Sequence, residues 1–107
     1  MSKEDTITMQ GASGASYNFD VYRWGTSFKP LGAVYSVLKK NSDARYSVLY
    51  IGQTGNLDER FDSHHRAACF TRNGKTHIGI HLESGEQTRL RKERDLIDNY
   101  NPPCNKA

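Results

Sequence analysis

Ala33-Val34-Tyr35-Ser36-Val37-Leu38-Lys39-Lys40-Asn41-Ser42-Asp43-Ala44-Arg45-Tyr46-Ser47-Val48-Leu49-Tyr50-Ile51-Gly52 is the stretch that decides how this chain folds. Two runs rich in β-branched and aromatic residues flank Asn41-Ser42-Asp43, whose short polar side chains bond their own backbone and turn a chain. The pattern predicts a hairpin with strands over 31–39 and 45–51. Antiparallel pairing about that turn sets Tyr35 opposite or nearly opposite Tyr50, and directly opposed residues project from one face. Two phenols are therefore expected on the same side of a sheet. Aromatic pairs on a strand are ordinarily packing, so the surrounding sequence has to say whether these two do more.

Upstream, Tyr17, Phe19 and Val21 alternate with Asn18 and Asp20, which reads as a strand, and residues 25–30 break it. Residues 1–16 are rich in Gly, Ser, Ala and Thr and are expected to form a flexible tail, with 17–107 as the folded domain. Downstream of Gly52-Gln53-Thr54-Gly55, Asn56 suits a helix N-cap with Glu59 at the capping-box position. Leu57, Phe61 and Ala68 would form the buried stripe of that helix. Arg60 and His64, four apart, would stack along one edge. Residues 71–76 read as a loop, and 77–83 as a strand with Ile78, Ile80 and Leu82 on one face. Ser84, with Gln87 three later, opens a second helix that runs to about Tyr100 before Pro102 and Pro103 end it. The expected class is α+β, a small central antiparallel sheet flanked by helices.

A chain of 107 residues with 36% hydrophobic content suits one small core. Its mean hydropathy of -0.78 and the lack of any long apolar run exclude a helical membrane protein. Without a basic-then-apolar leader pattern, cytoplasmic residence is expected, and with it Cys69 and Cys104 as free thiols. The net charge of +3 all arises from Lys39 onward, since residues before it hold three basic and three acidic side chains. Arg60, Arg66, Arg72 and Lys75 form one basic stretch; Arg89, Arg91, Lys92 and Arg94 form another. Such stretches suit a polyanion such as nucleic acid, although solvated helix faces with neighbouring acids would look the same.

Glu93 is the most telling single position. On a helical wheel Leu90, Leu96, Ile97 and Tyr100 form one arc with Glu93 in its middle. An unpaired buried carboxylate costs several kcal/mol, so Glu93 is either paired with an arginine or open to a cleft that holds a cation or substrate. His77 and His81 suggest zinc by spacing, but four residues along a strand is roughly 13 Å, too far for one ion.

Taken in order, these residues resemble the GIY-YIG nuclease superfamily. Ala33-Val34-Tyr35 is similar to its first motif and Tyr50-Ile51-Gly52-Gln53-Thr54 to its second. Leu57-Asp58-Glu59-Arg60 matches the leucine-then-arginine element, and His64 the histidine that follows it. Glu93-Arg94-Asp95-Leu96-Ile97 resembles the glutamate helix, and Tyr100-Asn101-Pro102-Pro103-Cys104-Asn105 the closing segment. Two departures are Ala33 for a glycine and Gln53 where some members carry lysine. The resemblance implies a metal-dependent endonuclease acting on DNA, with RNA not distinguished, and targeted by substrate structure or by a protein partner. It implies that Glu93 holds one Mg²⁺ or Mn²⁺ and that Tyr35 is the general base or positions the water. Tyr50 and His64 would assist, Arg60 would stabilise phosphoryl charge, and Asn105 would brace the site. Arg66, Arg72 and Lys75 would contact nucleic acid. The alternative is a nucleic-acid-binding module of the same fold with little turnover.

Overall fold

Residues 3–58 and 64–106 are described by a computed structural model; Glu59, Arg60 and Phe61 lie outside the described residues. Five strands and two helices follow in order: β1 (Asp5–Gln10), β2 (Ser16–Arg23), β3 (Ala33–Lys40), β4 (Tyr46–Thr54), α1 (Ala67–Arg72), β5 (His77–Leu82) and α2 (Glu86–Tyr100). A 3-10 turn at Pro103–Asn105 follows α2. The strands form one sheet in the order β1-β2-β5-β3-β4, with every neighbouring pair antiparallel. The α+β class with a flanked antiparallel sheet is as the sequence predicts.

β3 is central, and Ala33 through Leu38 are all buried. This run does not alternate because the sheet is covered on both sides. One face carries Tyr35, Val37, Ile78 and Ile80, packed under Phe70 of α1 and Cys104 of the final turn. The other carries Met9, Phe19, Val34 and Ile51 against Leu96 of α2.

The hairpin register contains an irregularity that decides the site. Near the turn Leu38 pairs with Val48, but Val37 pairs with Tyr50, so Leu49 is an extra residue in β4. Continued without the bulge, the same register would set Tyr50 against Ser36 and turn it to the other face. With it, Tyr35 pairs with Gly52 and Tyr50 lies two residues away on the same face. The expected opposition of the phenols is thus a diagonal.

Several expectations are corrected. Residues 5–10, expected within a tail, form β1, because Ile7 and Met9 pack inward while the strand pairs with β2 along its length. The turn beyond it is docked on α2: Asp95 accepts from the Ser13 backbone N–H at 2.9 Å, the Ser13 hydroxyl at 2.8 Å and the Tyr17 hydroxyl at 2.7 Å. A side chain at Gly11 would overlap that carboxylate. The helix expected from Asn56 begins, among the described residues, only at Ala67; Asn56 instead closes a local turn by accepting from the Asp58 N–H at 2.9 Å. His64 therefore lies in the bend before α1, not on its edge. On α2 the buried residues are Arg89 and Leu96, while Leu90 is 40% exposed and Tyr100 36%.

Cys69 and Cys104, expected as free thiols, form a disulfide with Cα atoms 5.8 Å apart. Pro102 and Pro103 stop the helix and fold the chain back so that Cys104 meets α1, and Asn73 Nδ2 lies 3.4 Å and 3.7 Å from the two sulfurs. Such a bond is at odds with an expected cytoplasmic address, where thiols are kept reduced. Among the described residues no helix is long and apolar enough to cross a membrane.

Reduction of the disulfide, which spans 35 residues, should lower stability by about 2–4 kcal/mol, read as a shift in the urea midpoint with and without reductant. The Asp95 carboxyl is held below its ordinary 3.8 by hydrogen bonds from Tyr17 and Ser13. Its folded value is the lower one, so its contribution is complete above the unfolded value and is lost as pH falls through the folded one. Asp95→Asn should accordingly lower the melting temperature at pH 7 and flatten its fall on acidification.

Candidate active site

The site is built where β3, β4 and the bend before α1 meet. The Tyr35 ring reaches across β4 over Gly52: a Cβ there would lie 2.6 Å from both Tyr35 Cζ and Oη, and 2.9 Å from Tyr50 Cε2. A glycine inside a strand marks such close approaches. The two phenol rings sit 6.1 Å apart between centroids. Phe70 packs against Tyr50 at 5.4 Å and against His64 at 5.2 Å, so aromatic surface supports the polar groups from below.

The hydrogen bonds have a direction. His64 Nδ1 accepts from the Arg66 backbone N–H at 3.0 Å. In the neutral ring the proton must then sit on Nε2, which donates to Tyr35 Oη at 2.9 Å. Tyr35 in turn hydrogen-bonds to Tyr50, which opposes the rise of the Tyr50 pKa. The path runs His64 to Tyr35 to Tyr50 and leaves the Tyr50 proton pointing onward to an outside acceptor.

Tyr50 is held protonated. Burial pushes its phenol above the ordinary value of 10.0, and the negative charge of Glu93 adds to this; Arg66 and Tyr35 oppose it. Glu93 is half-buried, and burial raises its carboxyl above the ordinary 4.5 against the charge of Arg94 and a hydrogen bond from the Gln53 backbone N–H. The carboxylate thus reaches from α2 to β4 beside Tyr50. Two groups within one cleft, each shifted by burial and by the other's charge, are the kind of pairing that reactive sites use.

Asn105 braces β4. Its Oδ1 accepts from the Ile51 N–H and its Nδ2 donates to the Ile51 carbonyl, both at 2.9 Å. The side-chain amide replaces a missing neighbour strand at the edge, midway between Tyr50 and Gly52. It is a positioning residue.

The predicted set is therefore brought together in part. Tyr35, Tyr50, His64 and Glu93 share one cleft, and Asn105 supports it. Arg60 lies outside the described residues. Arg66, expected on a nucleic-acid surface, is half-buried at the site, where its charge acts on Tyr50. Arg72 is exposed at the end of α1, and Lys75 donates to Thr71 Oγ1 at 3.2 Å and lies 5.2 Å from the Trp24 ring centroid. His77 faces Glu4 at 3.0 Å, and His81 donates to the Asn18 carbonyl and accepts from Lys92, which occupies both away from any shared ion.

Arg89 was not foreseen as a site support. It is only 6% exposed and donates to Gln53 Oε1 at 2.9 Å and to the Glu83 and Ser84 carbonyls at 3.1 and 2.9 Å. A Cβ on Gly32 would come within 2.6 Å of its Nη1. Glycines flanking the two strand ends were the available signal.

Among the described residues no group of three or more His, Cys, Asp or Glu gathers as a metal cluster. A single desolvated carboxylate does fit hydrated Mg²⁺ or Mn²⁺, which take few protein ligands, better than the four-ligand geometry of zinc. Comparison with known family models, curated proteins and solved structures yields no match. The chemistry must be argued from the site.

Gly52→Ala should displace the Tyr35 ring and break its bond to His64, at a cost of about 1–3 kcal/mol for the forced repacking. Nitrogen chemical shifts of the His64 ring should move toward those of a solvated imidazole, while those of His81, on the other face, stay fixed.

Proposed function

We propose that the chain is a metal-dependent endonuclease of the GIY-YIG type, hydrolysing phosphodiester bonds in DNA under structural or partner-supplied targeting. The observation that carries this reading is the directed path from His64 through Tyr35 to Tyr50 beside a desolvated Glu93. Hydrolysis at phosphorus needs an acceptor for the water's proton, donors to the phosphoryl oxygens and positive charge nearby.

Tyr35, as phenolate, would take the proton of the attacking water as the new P–O bond forms. The His64 Nε2–H would hold the charge on that oxygen. Tyr50, kept protonated, would donate to a non-bridging oxygen, and Arg66 supplies positive charge beside it. Arg60 has the same task by its motif position. The P–O bond opposite the water breaks, and the leaving oxygen is protonated from solvent. A divalent ion held by Glu93 would supply Lewis-acid stabilisation of that leaving oxygen.

The binding-module alternative keeps the fold and the basic residues but gives no task to a carboxylate held in a desolvated place. A protein-interaction reading would make Glu93 a structural ion pair. The two differ in sign from the nuclease reading. With a folded value above 4.5, Glu93 favours the folded state below the unfolded value, and that contribution is lost as pH rises through the folded one. At pH 7 the charge is a burden.

Cleavage of labelled single-stranded, duplex, flap and branched DNA with Mg²⁺ or Mn²⁺ tests the proposal. Wild type should cut, and Glu93→Gln should lose at least about 100-fold in rate while melting no lower than wild type at pH 7. Equal cutting by both proteins would remove the nuclease assignment, and a lower melting temperature for Glu93→Gln would favour the structural ion pair.

A further inference from the structure

A cavity of about 430 Å³ opens on the same sheet face as Tyr35, and the proposed hydrolysis makes no use of it. It lies between β2, β5 and the segment at residues 26–31. We propose that it receives one unpaired, amine-bearing nucleobase, adenine or cytosine, of the strand being cut; this rests on the nuclease reading and names part of its substrate.

Position comes first. Asp20 pairs with Ile80, and Ile80 pairs with Tyr35, so the three residues form one row across the sheet on one face. Two strand spacings separate the cavity wall from the Tyr35 backbone, roughly 10 Å. A nucleotide seated there is a near neighbour of the phosphate at the phenols.

Chemistry comes second. One wall is aromatic and aliphatic: Tyr22 and Phe28 meet edge to face at 5.2 Å between centroids, and Leu31 and Leu82 stand 46% and 58% exposed beside them. Such surface matches the flat face of a base. The opposite wall is polar. Asp20 receives both Lys3 Nζ, at 3.3 Å, and Thr6 Oγ1, at 3.2 Å, on Oδ1, which leaves Oδ2 as an acceptor. Asn18 accepts from Thr8 through Oδ1 at 2.9 Å, which leaves its amide N–H groups as donors. An acceptor and a donor side by side match the amine and adjacent ring nitrogen of adenine or cytosine, and they oppose the carbonyl-and-imide edge of thymine. Lys29 also lines the cavity and suits a flanking phosphate. The size falls in the ordinary range of small-ligand sites.

The test measures anisotropy of labelled pentanucleotides in metal-free buffer, with thymidine at four positions and cytidine, thymidine or an abasic unit at the centre. The cytidine strand should bind the full chain about tenfold more tightly than the other two. Asp20 is on the surface of β2, so Asp20→Asn should fold normally, and by exchanging acceptor for donor it should reverse the order of cytidine and thymidine. Phe28→Ala should weaken both base-bearing strands toward the abasic level. Deoxycytidine monophosphate, the strandless probe, should bind at least about tenfold more weakly than the cytidine strand, because the flanking phosphates are missing.

Equal binding of the three strands by wild type, or an unchanged order in Asp20→Asn, overturns the base site, and the cleavage panel then decides the nuclease reading by itself. Ordered binding with no cleavage of any DNA keeps the base site and removes the nuclease. A monophosphate that binds as well as the strand overturns the strand-borne base in favour of a free nucleotide.

Discussion

The close approach of Tyr35 to the β4 backbone at Gly52 is the contact on which the site depends. It needs three things at once: a residue without a side chain at 52, a register that sets 35 against 52, and a second phenol displaced along β4. Direct opposition of Tyr35 and Tyr50 would crowd two rings into one cross-strand position. The bulge at Leu49 resolves this by adding one residue to β4, so that Tyr50 changes face and joins Tyr35 at a diagonal. Leu49 itself is buried, which ties the bulge to the core and keeps the offset from sliding.

Because β4 is an edge strand, its outer N–H and C=O groups would otherwise face water or another chain. The residues around the phenols are held from several elements instead. Asn105 satisfies both backbone groups of Ile51, Arg89 binds the Gln53 side chain, and Glu93 receives the Gln53 N–H. The turn that carries Asn105 is anchored in turn by the Cys69–Cys104 bond to α1. Support for the site therefore runs from the end of the chain through a covalent link to the segment next to His64.

What the sequence made legible was the local and periodic part. Alternation at Tyr17, Phe19 and Val21 and at Ile78 and Ile80 marked β2 and β5, and the Asn-Ser-Asp turn marked the hairpin. The register within it was hidden, since a bulge at Leu49 leaves no compositional trace. β1 was missed because its inward residues, Ile7 and Met9, are only two and sit among small polar neighbours. Leu82 continued the β5 pattern but reaches a cavity rim rather than the core. The disulfide depends on a tertiary return that no local rule supplies. The site fared better than the fold around it: Tyr35, Tyr50, His64 and Glu93 do meet, whereas Arg66 entered the site from a stretch read as surface.

The helix face that carries Glu93 gives the sharpest contrast in the molecule. Arg89 and Glu93 stand one turn apart on α2, with opposite charges, and a structural ion pair between them would have been the simplest arrangement. Instead Arg89 spends its donors on neutral oxygens of Gln53, Glu83 and Ser84. Among the described residues no salt bridge joins the two, and burial dominates the Glu93 shift. A carboxylate that gains little from its own helix, beside a phenol whose proton it holds in place, costs stability that a neutral side chain would recover. Such costs persist where a cation or a developing charge is to be met, and that is why Glu93, more than either tyrosine, separates a reactive site from a packed one.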